Sequence, residues 1–228
     1  AIVEIIKKYN ITVQGKRVLI IVNGALVGKP AALWFRSEGG LVTVLEKGDE
    51  AILPVPYSVS YEEMIKIAEA KPVFCNTDDR FKLTADMVEE KISEKTKMLL
   101  LNSPSNPSGA IVDPSEIRKI AELAVKHNFY VVSDEVYEHF VYGNNKQVSI
   151  ASLNDEVKNL TIISNSVSKT YAMTGWRIGY TGASKEIIKA MENLQSHSTS
   201  NPSNIAQYAA LEALNGPQDS VKRMVKAF

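Results

Sequence analysis

A lysine with two phosphate-binding neighbours is the most chemically suggestive part of this 228-residue sequence. Lys169 follows an apolar, strand-like run at residues 160–164. Ser166 lies three residues before it and Arg177 eight residues after it. A lysine amine held in a cleft can act as a nucleophile, and a hydroxyl with a guanidinium fork suits a phosphate. The set predicts a site for an aldehyde cofactor that carries a phosphate, which is pyridoxal phosphate (PLP).

Polar residues follow two other strand-like runs in the same way. Asn106 lies in a proline- and glycine-containing turn, and Asp134 and Tyr137 follow the run at residues 130–133. An unpaired charge at the end of an apolar strand is costly, so Asp134 needs a partner, and a protonated pyridine nitrogen would serve. Each feature alone has an ordinary alternative: a plain turn, a helix cap, a packing tyrosine or a surface lysine. Together they provide the ring and phosphate partners that one PLP requires.

Strand-like and helical patterns alternate along the chain, which predicts one α/β domain with a mostly parallel sheet covered by helices. Ligands of such sheets bind beyond the carboxyl ends of the strands, where these polar residues lie. Strands are predicted at residues 18–22, 42–45, 50–54, 72–75, 98–102, 130–133, 160–164 and 178–181, and helices at residues 31–37, 61–69, 84–92, 114–127, 185–194 and 204–214.

The helix predicted at residues 114–127 has the clearest boundaries. Pro114 suits the first helical position, and Asp113 with Glu116 has the spacing of a capping box. Asn128 suits the stop.

Composition narrows the class of protein. Lys+Arg and Asp+Glu both number 26, so no net field favours a nucleic-acid or anionic membrane partner. The single cysteine, Cys75, excludes an internal disulfide framework, and the sequence shows no signal peptide and no apolar run of membrane-spanning length. We therefore expect a cytoplasmic protein. His127, His139 and His197 lack metal-ligand spacing, so no metal site is expected.

Three segments carry a resemblance to a known family. Residues 106–109 (NPSG), 133–137 (SDEVY) and 166–179 (SVSKTYAMTGWRIG) match, in order and spacing, the motifs of class I aminotransferases of the aspartate/aromatic type, among the fold-type I PLP enzymes. The resemblance runs from about residue 48 to the C-terminus, with residues 1–10 included. It implies a three-layer αβα sandwich, the PLP-transferase large domain in truncated form. It also implies a homodimer with an amino-acid/2-oxo-acid substrate pair.

The resemblance also implies a role for each motif residue. Lys169 would form the Schiff base and carry the proton, and Asp134 would bind the pyridine nitrogen. Asn106 and Tyr137 would bind the ring oxygen. Ser166 and Arg177 would bind the phosphate.

Family members are longer than this chain, and their N-terminal arm and C-terminal small domain are expected to be absent here. The small domain carries the arginine that binds the substrate α-carboxylate, so turnover is expected to be impaired. Ser58 stands where many relatives have a tryptophan on the ring face, and the adjacent Tyr57 is the candidate for that contact.

Residues 15–45 resemble a different family, the Rossmann βαβ segment of methylenetetrahydrofolate dehydrogenase/cyclohydrolase. We infer a chimeric chain in which such a unit is grafted into the aminotransferase large domain. Gly24 and Ala25 stand where aminotransferases place a phosphate-binding turn, so their amides would bind the cofactor phosphate at a helix N-terminus. Two alternatives stay open: a non-catalytic chimeric α/β scaffold, and a fragment of an NADP-dependent oxidoreductase.

Overall fold

The computed structural model describes residues 17–20, 41–45, 47–196 and 198–228. In the N-terminal part, β1 (Arg17–Ile20) and β2 (Leu41–Val44) form a two-stranded parallel sheet, with Arg17 opposite Leu41. Both strands were predicted, and both lie within the segment of residues 15–45 that was inferred to be grafted. The predicted helix at residues 31–37 lies outside the described residues, so the graft itself stays a prediction.

A six-stranded sheet forms the centre of the described structure, and its order is β4-β3-β5-β6-β7-β8. Every neighbouring pair is parallel except the last, in which β8 runs antiparallel to β7. The predicted, mostly parallel sheet is thus confirmed. Its strands are β3 (Glu50–Val55), β4 (Lys71–Asn76), β5 (Thr96–Asn102), β6 (Tyr130–Asp134), β7 (Thr161–Ser166) and β8 (Gly179–Gly182).

Helices connect these strands, and none of those described is both long and apolar enough to cross a membrane. The helix predicted at residues 84–92 ends earlier, at Glu89. The residues after Glu89 form tight turns before β5 begins, and in one of them the Ile92 amide donates to the Glu89 carbonyl. The helices are α1 (Ser60–Ile67), α2 (Ala85–Glu89), α3 (Pro114–His127), α4 (Asp155–Asn159), α5 (Lys185–Ser196), α6 (Asn204–Asn215) and α7 (Asp219–Ala227), with 3-10 turns at Ile150–Ser152 and Thr174–Trp176.

Alternate side chains of β5 pack on opposite faces of the sheet. Leu99 and Leu101 join the cluster under α2, α3 and α4, whereas Met98 and Leu100 join the cluster under α1. A strand buried on both faces has no place for a polar side chain except near its ends. This explains the continuous apolar runs and confirms the layered α/β architecture.

The helix α3 has the predicted bounds, but the predicted capping box is wrong. Asn128 ends the helix in the left-handed conformation, with φ 53°. The Asp113 side chain makes no capping bond and instead lies 3.3 Å from the Lys82 ammonium. Glu116 accepts a 2.7 Å hydrogen bond from the backbone amide of Ala85 at the start of α2. Tertiary partners therefore replace the local cap.

A buried carboxylate lies directly after β6. Glu135 is 4% exposed, and its Oε1 accepts hydrogen bonds from the hydroxyls of Ser133 (2.9 Å) and Ser149 (2.7 Å). Burial raises the pKa of this carboxyl above its ordinary value, and the two serine donors only partly oppose that effect. The carboxylate ties β6 to the segment before the Ile150–Ser152 turn.

We predict that Ile120→Ala lowers the free energy of unfolding by about 2–5 kcal/mol, because the lost side chain leaves a cavity. Ile120 lies on the inner face of α3 and is fully buried. Val125→Ala, at an exposed position of the same helix, is the control and should change stability by no more than about 0.5 kcal/mol. Urea unfolding measures both. Equal effects of the two substitutions would contradict the burial argument.

We also predict that Glu135→Gln becomes more favourable, relative to the unchanged chain, as pH rises. The folded state holds the Glu135 proton more tightly than the unfolded state does, so its contribution to stability is lost as pH rises from below the ordinary pKa of 4.5 through the raised folded-state pKa. Glutamine has no proton to lose. Unfolding free energies of both chains from about pH 4 to about pH 7 measure the difference; a difference that stays constant would count against a raised pKa.

Candidate cofactor-binding site

Three adjacent strands end at one edge of the sheet, and each carries a predicted site residue. Asn102, the last residue of β5, is opposite Asp134 at the end of β6, and Asp134 is opposite Ser164 in β7. The Asn106 turn follows β5, and Lys169 follows β7 by three residues. Parallel pairing therefore gathers residues that are more than sixty positions apart in the sequence.

The Asp134 carboxylate is held by two neutral donors. Its Oδ2 accepts a 2.5 Å hydrogen bond from the Tyr61 hydroxyl, and its Oδ1 accepts a 3.2 Å bond from the Val136 amide. Burial, and then the hydrogen bond to Asp134, raise the pKa of Tyr61 well above its ordinary value, so the phenol stays protonated. The partner in the structure is thus a phenol, where the sequence predicted a cation. Tyr61 comes from α1, 73 positions away, and no local pattern reveals it.

Asn102 connects two of the predicted residues. Its Nδ2 donates a 2.9 Å hydrogen bond to the Asp134 carbonyl, and its Oδ1 accepts a 2.7 Å bond from the Asn106 amide. One side chain therefore fixes both the turn after β5 and the end of β6. Sequence reasoning did not select Asn102 as a site residue, although an amide ending a buried strand was a usable signal.

Lys169 lies over the ring of Tyr137. Its Nζ is 5.7 Å from the ring centroid, within the range of a cation–π interaction. Tyr137 in turn is close enough to Tyr61 to affect its ionisation, so the lysine, both tyrosines and Asp134 belong to one neighbourhood. Lys169 is solvent-exposed in the described structure. Its amine is therefore accessible to a small molecule at this edge.

Ser166 and Arg177 lie at the base of the loop that carries Lys169. Ser166 ends β7 opposite Gly179, and Arg177 comes two residues before Gly179, so the antiparallel β7–β8 pair sets both at the two ends of one loop. The Ser166 hydroxyl accepts a 3.2 Å bond from the Ser168 amide. The exposed Arg177 has φ 55°, and its Nη1 donates a 2.8 Å bond to the Thr174 carbonyl. The guanidinium thus binds its own loop here.

Tyr57 lines a shallow cleft together with Tyr61, Asn102 and Asn106. Its hydroxyl donates a 2.6 Å bond to Glu62, and its ring stacks on that of Phe74, with centroids 5.8 Å apart. The Glu62 carboxylate raises the pKa of the Tyr57 hydroxyl. The ring is therefore already stacked on a protein partner. Gly24 and Ala25 lie outside the described residues.

This arrangement fits PLP on one specific point. Among the described residues, no lysine, arginine or histidine pairs with the Asp134 carboxylate. The Tyr61 hydroxyl and the Val136 amide, which donate to it, are both neutral. Each carboxylate oxygen retains a second acceptor position. A half-buried carboxylate of this kind can accept a cationic donor such as a pyridinium N–H. The exposed amine of Lys169 and the Asn106 and Tyr137 side chains complete a set that matches the ring end of the cofactor.

Comparisons with known proteins agree with the family that the motifs resemble. The family model "Aminotransferase class I and II" matches residues 37–228. An aspartate aminotransferase of Bacillus subtilis (strain 168) is 48% identical over 187 residues, which cover 81% of this chain and 48% of the relative. The crystal structure of the aspartate aminotransferase of Rhizobium meliloti superposes with a TM-score of 0.77 at 46% identity, covering 80% of this chain and 46% of that one.

A second structure, the aspartate aminotransferase of Thermus thermophilus with maleate, gives a TM-score of 0.75 at 41% identity, covering 81% of this chain and 47% of that one. The chain spans about half the length of the curated relatives it matches. The family model begins at residue 37 and so includes residues 37–45 of the inferred graft over residues 15–45, to which it lends no support. Within the matched region, sequence and fold agree, and the chain belongs to the class I and II aminotransferase family.

Proposed function

We propose that this chain binds PLP and contributes to amino-group transfer between an amino acid and a 2-oxo acid. The observation that supports this most directly is the half-buried Asp134 carboxylate, which has neutral donors only and lies at the sheet edge that also carries the Asn106 turn and Lys169. Aspartate aminotransferases are PLP-dependent, and they are the named relatives of this chain.

Different residues would bind different parts of the cofactor. Bound PLP would supply an electron sink for the bond that breaks at the substrate Cα. The Lys169 amine would hold the aldehyde end of the cofactor and would move the proton at the substrate Cα. Asp134 would keep the pyridine nitrogen protonated, and Asn106 and Tyr137 would donate hydrogen bonds to the ring oxygen.

The phosphate end depends on more distant parts of the chain. Ser166 and Arg177 would bind the phosphate from the base of the β7–β8 loop, and the amides of Gly24 and Ala25 would bind it from the N-terminal part. The Arg177 guanidinium has five N–H donors, and its Nη1 donates to the Thr174 carbonyl, so further N–H groups would serve a phosphate oxygen as charge-assisted donors. Tyr57 contributes to the wall beside the ring.

The partner of this chain, on the same proposal, is a second copy. The helix α6 supports it, because Ile205, Tyr208 and Leu211 follow each other at intervals of three and are 76%, 75% and 55% exposed. A row of exposed apolar side chains on one helix is typical of an interaction surface. We propose a cytoplasmic homodimer.

A non-catalytic chimeric α/β scaffold stays open as the second candidate. It predicts a folded sheet, with or without bound PLP, that does not transfer amino groups. The oxidoreductase alternative has no described site residue in its favour and predicts NADPH binding instead. Both are separated from the main proposal by the experiment below.

We predict that adding PLP to the protein produces a visible absorbance band, and that Lys169→Ala abolishes it because the amine that binds the aldehyde is gone. Lys185→Ala, at an exposed lysine that begins α5, is the matched control and should leave the band unchanged. Absorbance titration measures both. A band that survives in Lys169→Ala assigns the aldehyde to another amine.

Transfer is tested next on the PLP-loaded protein. Aspartate or glutamate should bleach the visible band, and a 2-oxo acid should restore it. A stable band that neither addition changes would favour the scaffold. Binding of NADPH without any PLP band would favour the oxidoreductase.

A further inference from the structure

We propose that Tyr61 is a positioning residue that holds the Asp134 carboxylate in the orientation required to bind the pyridine nitrogen. The inference rests on the proposed function and adds a residue that the motifs do not contain. Its basis is the 2.5 Å hydrogen bond between the Tyr61 hydroxyl and Asp134 Oδ2.

Two donors on different oxygens fix the plane of a carboxylate. The Val136 amide binds Oδ1 from within the same turn, and Tyr61 binds Oδ2 from another element of the fold. With the amide bond alone, the carboxylate could still rotate about its Cβ–Cγ bond. With both bonds made, the second acceptor position on each oxygen points in a defined direction, and one of these is left for the cofactor.

The Tyr61 hydroxyl is itself rigidly placed. Tyr61 lies in the first turn of α1, and it packs against the apolar cluster that includes Leu53, Ile65 and Leu100. The hydroxyl therefore moves only if α1 moves against the sheet. Tyr61 is 73 positions from Asp134 in the sequence, and its hydrogen bond makes the orientation of the Asp134 carboxylate depend on the position of α1.

Tyr61 acts as a hydrogen-bond donor and not as an acid or base. Burial, followed by the bond to Asp134, raises its pKa well above the ordinary value for a phenol. The hydroxyl consequently keeps its proton at neutral pH. A group that does not release its proton cannot carry one during a reaction, but it can orient a neighbour.

Substitution of Tyr61 by Phe tests the proposal, because it removes the hydroxyl and keeps the packed ring. We predict that Tyr61→Phe weakens PLP binding on the order of tenfold, the size expected for loss of one hydrogen bond to a charged group. Absorbance titration with PLP gives the dissociation constant independently of turnover. Tyr142→Phe, at an exposed tyrosine outside the candidate site, is the control and should bind PLP as the unchanged chain does.

A double-mutant cycle separates positioning from general loss of structure. In an Asp134→Ala background, Tyr61→Phe should cause no further loss of PLP affinity, because the group it positions is absent. Urea unfolding checks that each variant is folded. If Tyr61→Phe does not fold, Tyr61→Met replaces it, because methionine fills much of the same space without a hydroxyl, and it should give the same loss.

The outcomes are distinct. Wild-type affinity in Tyr61→Phe would overturn the positioning role and leave the proposed function intact. A further, additive loss in the Asp134→Ala background would also overturn it, because Tyr61 would then act independently of Asp134. Absence of a visible band in the unsubstituted protein would overturn both the inference and the proposed function.

Discussion

Parallel pairing of β5, β6 and β7 is the constraint on which the candidate site depends. Helices cover both faces of these strands, so the central side chains of β5, from Met98 to Leu101, are apolar. Polar groups lie together at one edge, where the register sets Asn102 opposite Asp134 and Asp134 opposite Ser164. The location of the site follows from the packing of the sheet, since a polar residue in place of Leu99 or Leu100 would be buried among apolar side chains.

Two consecutive carboxylates, Asp134 and Glu135, have different roles at this edge of the sheet. Their side chains have different surroundings. Glu135 is buried with the Ser133 and Ser149 hydroxyls, where burial raises its pKa, and it joins two segments of the fold. Asp134 meets Tyr61 beside the cleft and keeps acceptor capacity. The first carboxylate contributes to structure, and the second is available to a ligand.

Local patterns predicted the elements well because they arise from local physics. Each predicted strand corresponds to a described one within about two residues, and α3 begins and ends where Pro114 and Asn128 indicate. The capping box failed because the Asp113 and Glu116 side chains found tertiary partners. The Tyr61 contact could not be predicted for the same reason, since a pair 73 positions apart is set by how α1 packs on the sheet. Assignment of the motif residues to one edge needed only the strand order.

The two ends of the proposed cofactor site depend on different parts of the chain. The proposed ring end takes residues between Tyr57 and Lys169, and the hydrogen bonds of Tyr61 and Asn102 join Asp134 and the Asn106 turn into one network. The proposed phosphate end takes Ser166 and Arg177, together with Gly24 and Ala25, which lie outside the described residues. On this proposal, ring recognition and phosphate binding are separable, because the contacts that orient Asp134 come from Tyr61 of α1 and from the Val136 amide, and none of them comes from the proposed phosphate-binding residues.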